Sequence, residues 1–373
     1  MASAAPRNPF APGPGTRPPV LAGREVERRG LGAIVEDLNA RCAGPIHLLQ
    51  APRGMGKTVL LRDLQQTVPE TVHWMTGADL SDLPCLAREL ASAFDRLVLD
   101  ISTATIGVLR AERRAPDLSW WKQKVNARLR KRREPWLLVI DEAHTLPADV
   151  AHVLLNAVQA FGAGGDAPVT LLLAGTPGLR PFLLSDAVNA SFVERAPLIV
   201  PGLLSPAASR EALEAPDWRG WRRDDAVLDA AAADSLGYPW FLQLWGQALW
   251  DAGWARQTVD RETLAAARLR VDAVRADFYS HRYDEFEHAA RRDGIPRDAM
   301  LAAVQAIAVQ VNAPDAAIST AALNRTLDQA GIPADDAAVA RGIIVGNGFL
   351  TQSGDDWRAG IPSLAEYVRR HPR

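Results

Sequence analysis

The chain has 373 residues, enough to bury a full core and to divide into two or three domains. A formal net charge of −2 and 48% hydrophobic residues are ordinary for a globular protein, so attraction to nucleic acid or anionic lipid has to come from a local patch. Two cysteines, Cys42 and Cys85, exclude a disulfide framework and zinc spacing, and no run approaches the ~18 apolar residues of a membrane span, which predicts a soluble, cytoplasmic chain with no membrane partner.

Residues 1–19 are rich in Ala, Pro and Gly and carry only Arg7 and Arg17 as charges, a composition that predicts a disordered arm. Leu21-Ala22-Gly23-Arg24-Glu25 then leads into a helical pattern through Val26, Leu31, Ile34, Val35 and Leu38. Val20 or Leu21, just upstream, is placed as an apolar cover for whatever the following turn binds; the alternative is an ordinary packing helix.

The apolar run Ile46 to Leu49 is followed by Ala51-Pro52-Arg53-Gly54-Met55-Gly56-Lys57-Thr58 and then by the helical pattern of Val59, Leu60, Leu61 and Leu64. A strand, a glycine-bent turn and a helix opening with Lys-Thr is what a phosphate chain requires. The glycines let the backbone turn its N–H groups inward, and the helix N-terminus adds unpaired donors and a positive dipole end. Lys57 supplies a point charge between β- and γ-phosphates, and the Thr58 hydroxyl is a Mg²⁺ ligand. The usual motif opens with glycine where this chain has Ala51.

Thr71 to Met75 alternates like a second strand, and a helical region follows from about Leu83 to Leu109. Lys122, Lys124, Arg128, Arg130, Lys131, Arg132 and Arg133 then come with no acid among them, either as a solvated helix face or as a contact for DNA phosphates or a partner. Trp136 to Ile140 is a continuous apolar run, the mark of a strand buried on both faces of a parallel sheet, and it ends in Asp141-Glu142. Asp141 is the candidate to hold Mg²⁺ through water and Glu142 the candidate base for the attacking water. His144 reads as a polar turn residue.

A fourth strand, Val169 to Leu173, ends in Ala174-Gly175-Thr176-Pro177. Thr176 is either a sensor of the γ-phosphate beside the loop or a turn residue. Arg195 precedes a fifth strand, Leu198 to Val200, and either reaches a neighbouring subunit's γ-phosphate or pairs locally with Glu194 or Asp186. From Ser205 to about Ala255 the pattern is helical and Trp-rich, with Pro239 fixing the first turn of a helix, so a small helical lid with a tryptophan core is expected. A bridging helix from Arg261 to about Arg292 leads to three helices and a hairpin, the order of a winged helix-turn-helix. Its third helix opens with Asp335-Asp336 and offers only Arg341, a poor surface for phosphates.

In this order the motifs resemble AAA+ P-loop ATPases, and within them the clade of origin-recognition and cell-division-control initiator ATPases and their bacterial relatives. The residues that carry the resemblance are Gly23-Arg24-Glu25, Ala51 to Thr58, Ile140 to His144, Ser191 to Arg195, Gly237-Tyr238-Pro239 and Ile361 to Tyr367. The resemblance implies an α/β core with a five-stranded parallel sheet and helices on both faces, a helical lid, a C-terminal winged helix, ATP or ADP with Mg²⁺, and assembly through a shared nucleotide site. It also implies that Ala51 to Val59 and Pro239 contact the nucleotide. Many AAA+ lids carry an arginine where this chain has Gly237-Tyr238-Pro239, as in the related STAND ATPases, whose proline packs near the adenine. The domains expected are an arm (1–19), a nucleotide-binding core (20–204), lid and bridging helix (205–292) and winged helix (293–373). Three functions fit: a slow Mg²⁺-dependent ATPase switch acting on DNA or a protein, a nucleotide-binding scaffold of a defence or toxin system, and a transposon-type target selector on DNA.

Overall fold

The computed structural model describes residues 7–13, 15–40, 44–69, 71–86, 88–90, 135–162, 169–218, 220–313, 316–353 and 356–373. The basic segment from Lys122 to Arg133 and most of the region expected to be helical before it lie outside the described residues.

The core comprises α1 (Glu25–Asn39), β1 (Ile46–Gln50), α2 (Lys57–Thr67), β2 (Val72–Thr76), β3 (Trp136–Asp141), α3 (Ala148–Gly162), β4 (Val169–Gly175), α4 (Leu179–Leu184) and β5 (Leu198–Ile199). The strands form one parallel sheet in the order β2-β3-β4-β1-β5. Every residue of β1, β3 and β4 is buried, because helices cover both faces. Alternate residues serve the two layers. Leu138, Ile140, Leu171 and Leu173 pack with Leu154 and Val158 of α3, whereas Leu137, Val139 and Leu172 pack with Leu31, Ile34, Val35 and Leu38 of α1 and with Leu60 and Leu64 of α2. With β4 between β3 and β1, the C-terminal ends of the three strands lie side by side, where open α/β sheets bind ligands.

The lid comprises α5 (Pro206–Glu214), β6 (Arg222–Arg223), α6 (Asp225–Asp234), α7 (Pro239–Gly253) and β7 (Thr258–Val259), and the 32-residue α8 (Arg261–Arg292) bridges onward. Trp218, Trp221 and Trp250 form the lid core, with Trp221 stacked on Trp250 at 4.7 Å, as the helical spacing of the tryptophans predicts. The C-terminal region is α9 (Arg297–Gln310), β8 (Ala317–Ser319), α10 (Thr320–Gln329), α11 (Ala337–Gly346), β9 (Leu350–Ser353), β10 (Asp356–Ala359) and α12 (Leu364–Arg370). The antiparallel order β8-β10-β9 beside these helices is compatible with a winged helix-turn-helix. Strand β8 is not foreseen from sequence, because three residues with one buried side chain, Ile318, give no alternation to detect.

The disordered arm requires correction for its described part, 7–13 and 15–19. Phe10 is buried in the lid core beside Trp218, and Asn8 donates to the Gln247 carbonyl and to Asp251. One aromatic ring entering a prepared hole outweighs a composition that on its own builds no core. No helix among the described residues is long and apolar enough to cross a membrane.

Candidate functional site

The turn between β1 and α2 is shaped by two left-handed glycines, Gly54 at φ 83° and Gly56 at φ 89°. A Cβ at Gly54 would stand 2.9 Å from the Tyr238 ring, whereas one at Gly56 meets no protein atom within 4 Å, so the space above Gly56 is left clear. Lys57, 4% exposed, donates from Nζ to the carbonyls of Ala51 (2.8 Å) and Pro52 (3.2 Å). Burial lowers its pKa, opposed by the Glu142 and Asp141 carboxylates.

Thr58 Oγ1 donates to Asp141 Oδ2 at 2.7 Å, joining the first turn of α2 to the end of β3. Burial raises the Asp141 pKa, and the Thr58 hydrogen bond opposes that rise. A hydroxyl and one carboxylate form the sparse oxygen set that suits Mg²⁺, which keeps several waters and takes phosphate oxygens as its other ligands. Among the described residues no group of three or more His, Cys, Asp or Glu stands together as a denser metal site.

Glu142 follows with a left-handed backbone, φ 53°. Its Oε2 lies 3.4 Å from His144 Nε2, while His144 Nδ1 is buried without a hydrogen-bond partner. Burial lowers the His144 pKa, with Glu142 opposing, so the imidazole is held toward its neutral form.

A cavity of about 590 Å³, within the range of small-molecule sites, opens above this floor. Its walls include Arg53 to Val59, Glu142 and Pro239, so these predicted residues come together. Val20 and Leu21 also line it. Ala51 and Pro52 lie behind the loop and do not face the cavity, their carbonyls being occupied by Lys57. Thr176 is buried at the end of β4 but is not a wall residue, and Gly175 beside it accepts from Ala51 N–H at 3.2 Å. Arg195, in a 3-10 turn at Ser191–Arg195, is exposed and outside the cavity, and among the described residues neither expected ion pair, with Glu194 or Asp186, forms.

Three contributors have no site role in the reading of the sequence. Arg24, 5% exposed, donates to the carbonyls of Gly202 (2.8 Å) and Met55 (3.2 Å), bracing the loop. Trp240 and Phe278 face the cavity, although the other lid tryptophans pack inside. Ala11, Pro12, Gly13, Gly15 and Thr16 of the arm close its outer side. The helical spacing of Trp240 gave no signal for this, since its neighbour Pro12 is remote in sequence.

Residues 43–183 match the family model of the AAA domain. In fold the chain is similar to a Walker-type ATPase of Pyrococcus abyssi, with a TM-score of 0.64 and 18% identity over 95% of this chain and 97% of that one. It is similar also to the ORC2 protein of Aeropyrum pernix in its ADPNP–ADP complexes, with a TM-score of 0.59 and 13% identity over 96% of each chain. No curated protein matches the chain in sequence.

Proposed function

We propose, from the premise that this chain is an AAA+ P-loop ATPase with its AAA domain over residues 43–183, that it binds ATP with Mg²⁺ and hydrolyses it slowly as a switch acting on a partner. The observation that carries this reading is the 2.7 Å bond by which Thr58, at the end of the glycine-bent loop and in the cavity wall, holds Asp141, the residue before Glu142. Mg²⁺ bound by this pair would neutralise charge on the β- and γ-phosphates. The N–H groups at the start of α2 face the phosphates, and Lys57 exchanges loop carbonyls for phosphate oxygens. Glu142 accepts a proton from the attacking water. Arg195, exposed and outside the cavity of its own chain, acts on the site of a neighbouring copy.

The test is phosphate release by the native chain and by Glu142→Gln. Loss of release in the variant with ADP binding retained supports the switch, and equal background rates remove the enzyme reading. Those equal rates would favour the regulatory scaffold, which the Glu142–His144 contact also supports by engaging the candidate base. The target-selector reading rests on the basic segment from Lys122 to Arg133, outside the described residues. Light scattering with ATP, ADP and duplex DNA separates it from both, since it alone requires DNA-dependent filaments.

A further inference from the structure

We infer that residues 8–13 and 15–17 form a strap that controls nucleotide release from this cavity, an inference that rests on the ATP-binding reading above. The strap crosses from lid to core. At the lid end Phe10 is 1% exposed and occupies a hole left by Gly246, where a Cβ would run into the Phe10 ring. Trp240 Nε1 donates to the Pro12 carbonyl at 2.8 Å, and Asn8 Nδ2 donates to Asp251 at 2.8 Å.

At the core end the contacts are to α2, the helix that opens with Lys57 and Thr58. Gly15 passes so close to this helix that a Cβ on it would stand 2.9 Å from Thr58 Cγ2. Arg62 donates to the Gly15 carbonyl, and Arg17 donates to Gln66 and, at 2.9 Å, to Asp63. Between the two ends Pro12, Gly13 and Thr16 line the cavity.

The two ends differ in kind. The lid end is an aromatic ring sealed in a core, whereas the core end is held by two exposed arginines, Arg62 and Arg17, the latter with its side chain 52% exposed. Exposed contacts of charged side chains are weak and screened by salt, so the strap lifts at the core end and stays anchored at Phe10. A bound nucleotide leaves when that latch opens. Asp63 also accepts from Arg28 at 2.8 Å, so removing Arg17 does not leave the Asp63 carboxylate without a cation.

The experiment is displacement of a fluorescent ADP analogue, with Mg²⁺, from the native chain, Arg17→Ala and Arg17→Ala with Arg62→Ala, the second change removing the donor to the Gly15 carbonyl. Release is expected to quicken roughly two- to fivefold in the single variant and further in the double. Added salt is expected to quicken release from the native chain more than from either variant. Native binding with release rates and salt response unchanged in both variants overturns the strap and leaves the ATP-binding reading intact. Absence of analogue binding to the native chain overturns both.

Discussion

At the scale of single residues, the proposed turnover hinges on the contact between Glu142 and His144. The carboxylate lines the cavity yet lies 3.4 Å from the imidazole, so the proposed base is restrained. His144→Phe keeps the bulk and removes the contact, and is expected to raise turnover about two- to fivefold with ADP affinity unchanged. Because burial depresses the His144 pKa, the ring is neutral above its ordinary value of about 6.5 and gains its proton only below it. Protonation tightens the hold on Glu142, so turnover should fall on the acid side in the native chain and less so in His144→Phe. In stability the sign is the same: the unfolded chain takes up the proton first as pH falls, so the folded state loses stability below that value. Urea denaturation across this range, with and without His144→Phe, checks it. The Lys-Thr pair and the two acids were legible in the sequence because their chemistry follows from residue type and spacing. The imidazole contact was not, because it depends on the left-handed backbone of Glu142.

At the scale of elements, strands β3 and β4 were legible because helices on both faces demand unbroken apolar runs, and the long α8 was legible from end to end. The strap was not legible. Phe10 alone among prolines and alanines carries no periodicity, and its hole is made by Gly246, far along the chain. Gly246→Ala would place a methyl group against the Phe10 ring, and such overpacking is expected to cost about 1–3 kcal/mol, measured as a lower denaturation midpoint. The same variant should expose the arm to protease, whereas an unchanged cleavage pattern would show that Phe10 does not hold it.

At the scale of the whole molecule, the C-terminal region rests on the nucleotide-binding core. A Cβ at Gly348 would stand 3.2 Å from Pro52 Cβ in the phosphate loop, and one at Gly178 would stand 3.5 Å from Gly346 Cα of α11. Tyr279 of α8 donates to the Pro362 carbonyl at 2.9 Å, and Ala51, Met55 and Tyr238 share one apolar cluster with residues of α9, α10 and α11. Docking through glycines needs close backbone approach, which Gly178→Phe denies. That variant is expected to increase the radius of gyration in solution scattering while leaving helix content unchanged. The order of helices and hairpin in this region was legible in the sequence but its seat was not, since small residues at a distant interface leave no pattern.

The most direct test of the central claim is calorimetric titration of ADP and ATP, with Mg²⁺, into the native chain and into Lys57→Ala. Saturable binding to the native chain, weakened about tenfold or more in the variant, is the predicted result. No binding to either chain, or the same affinity in both, would contradict the account.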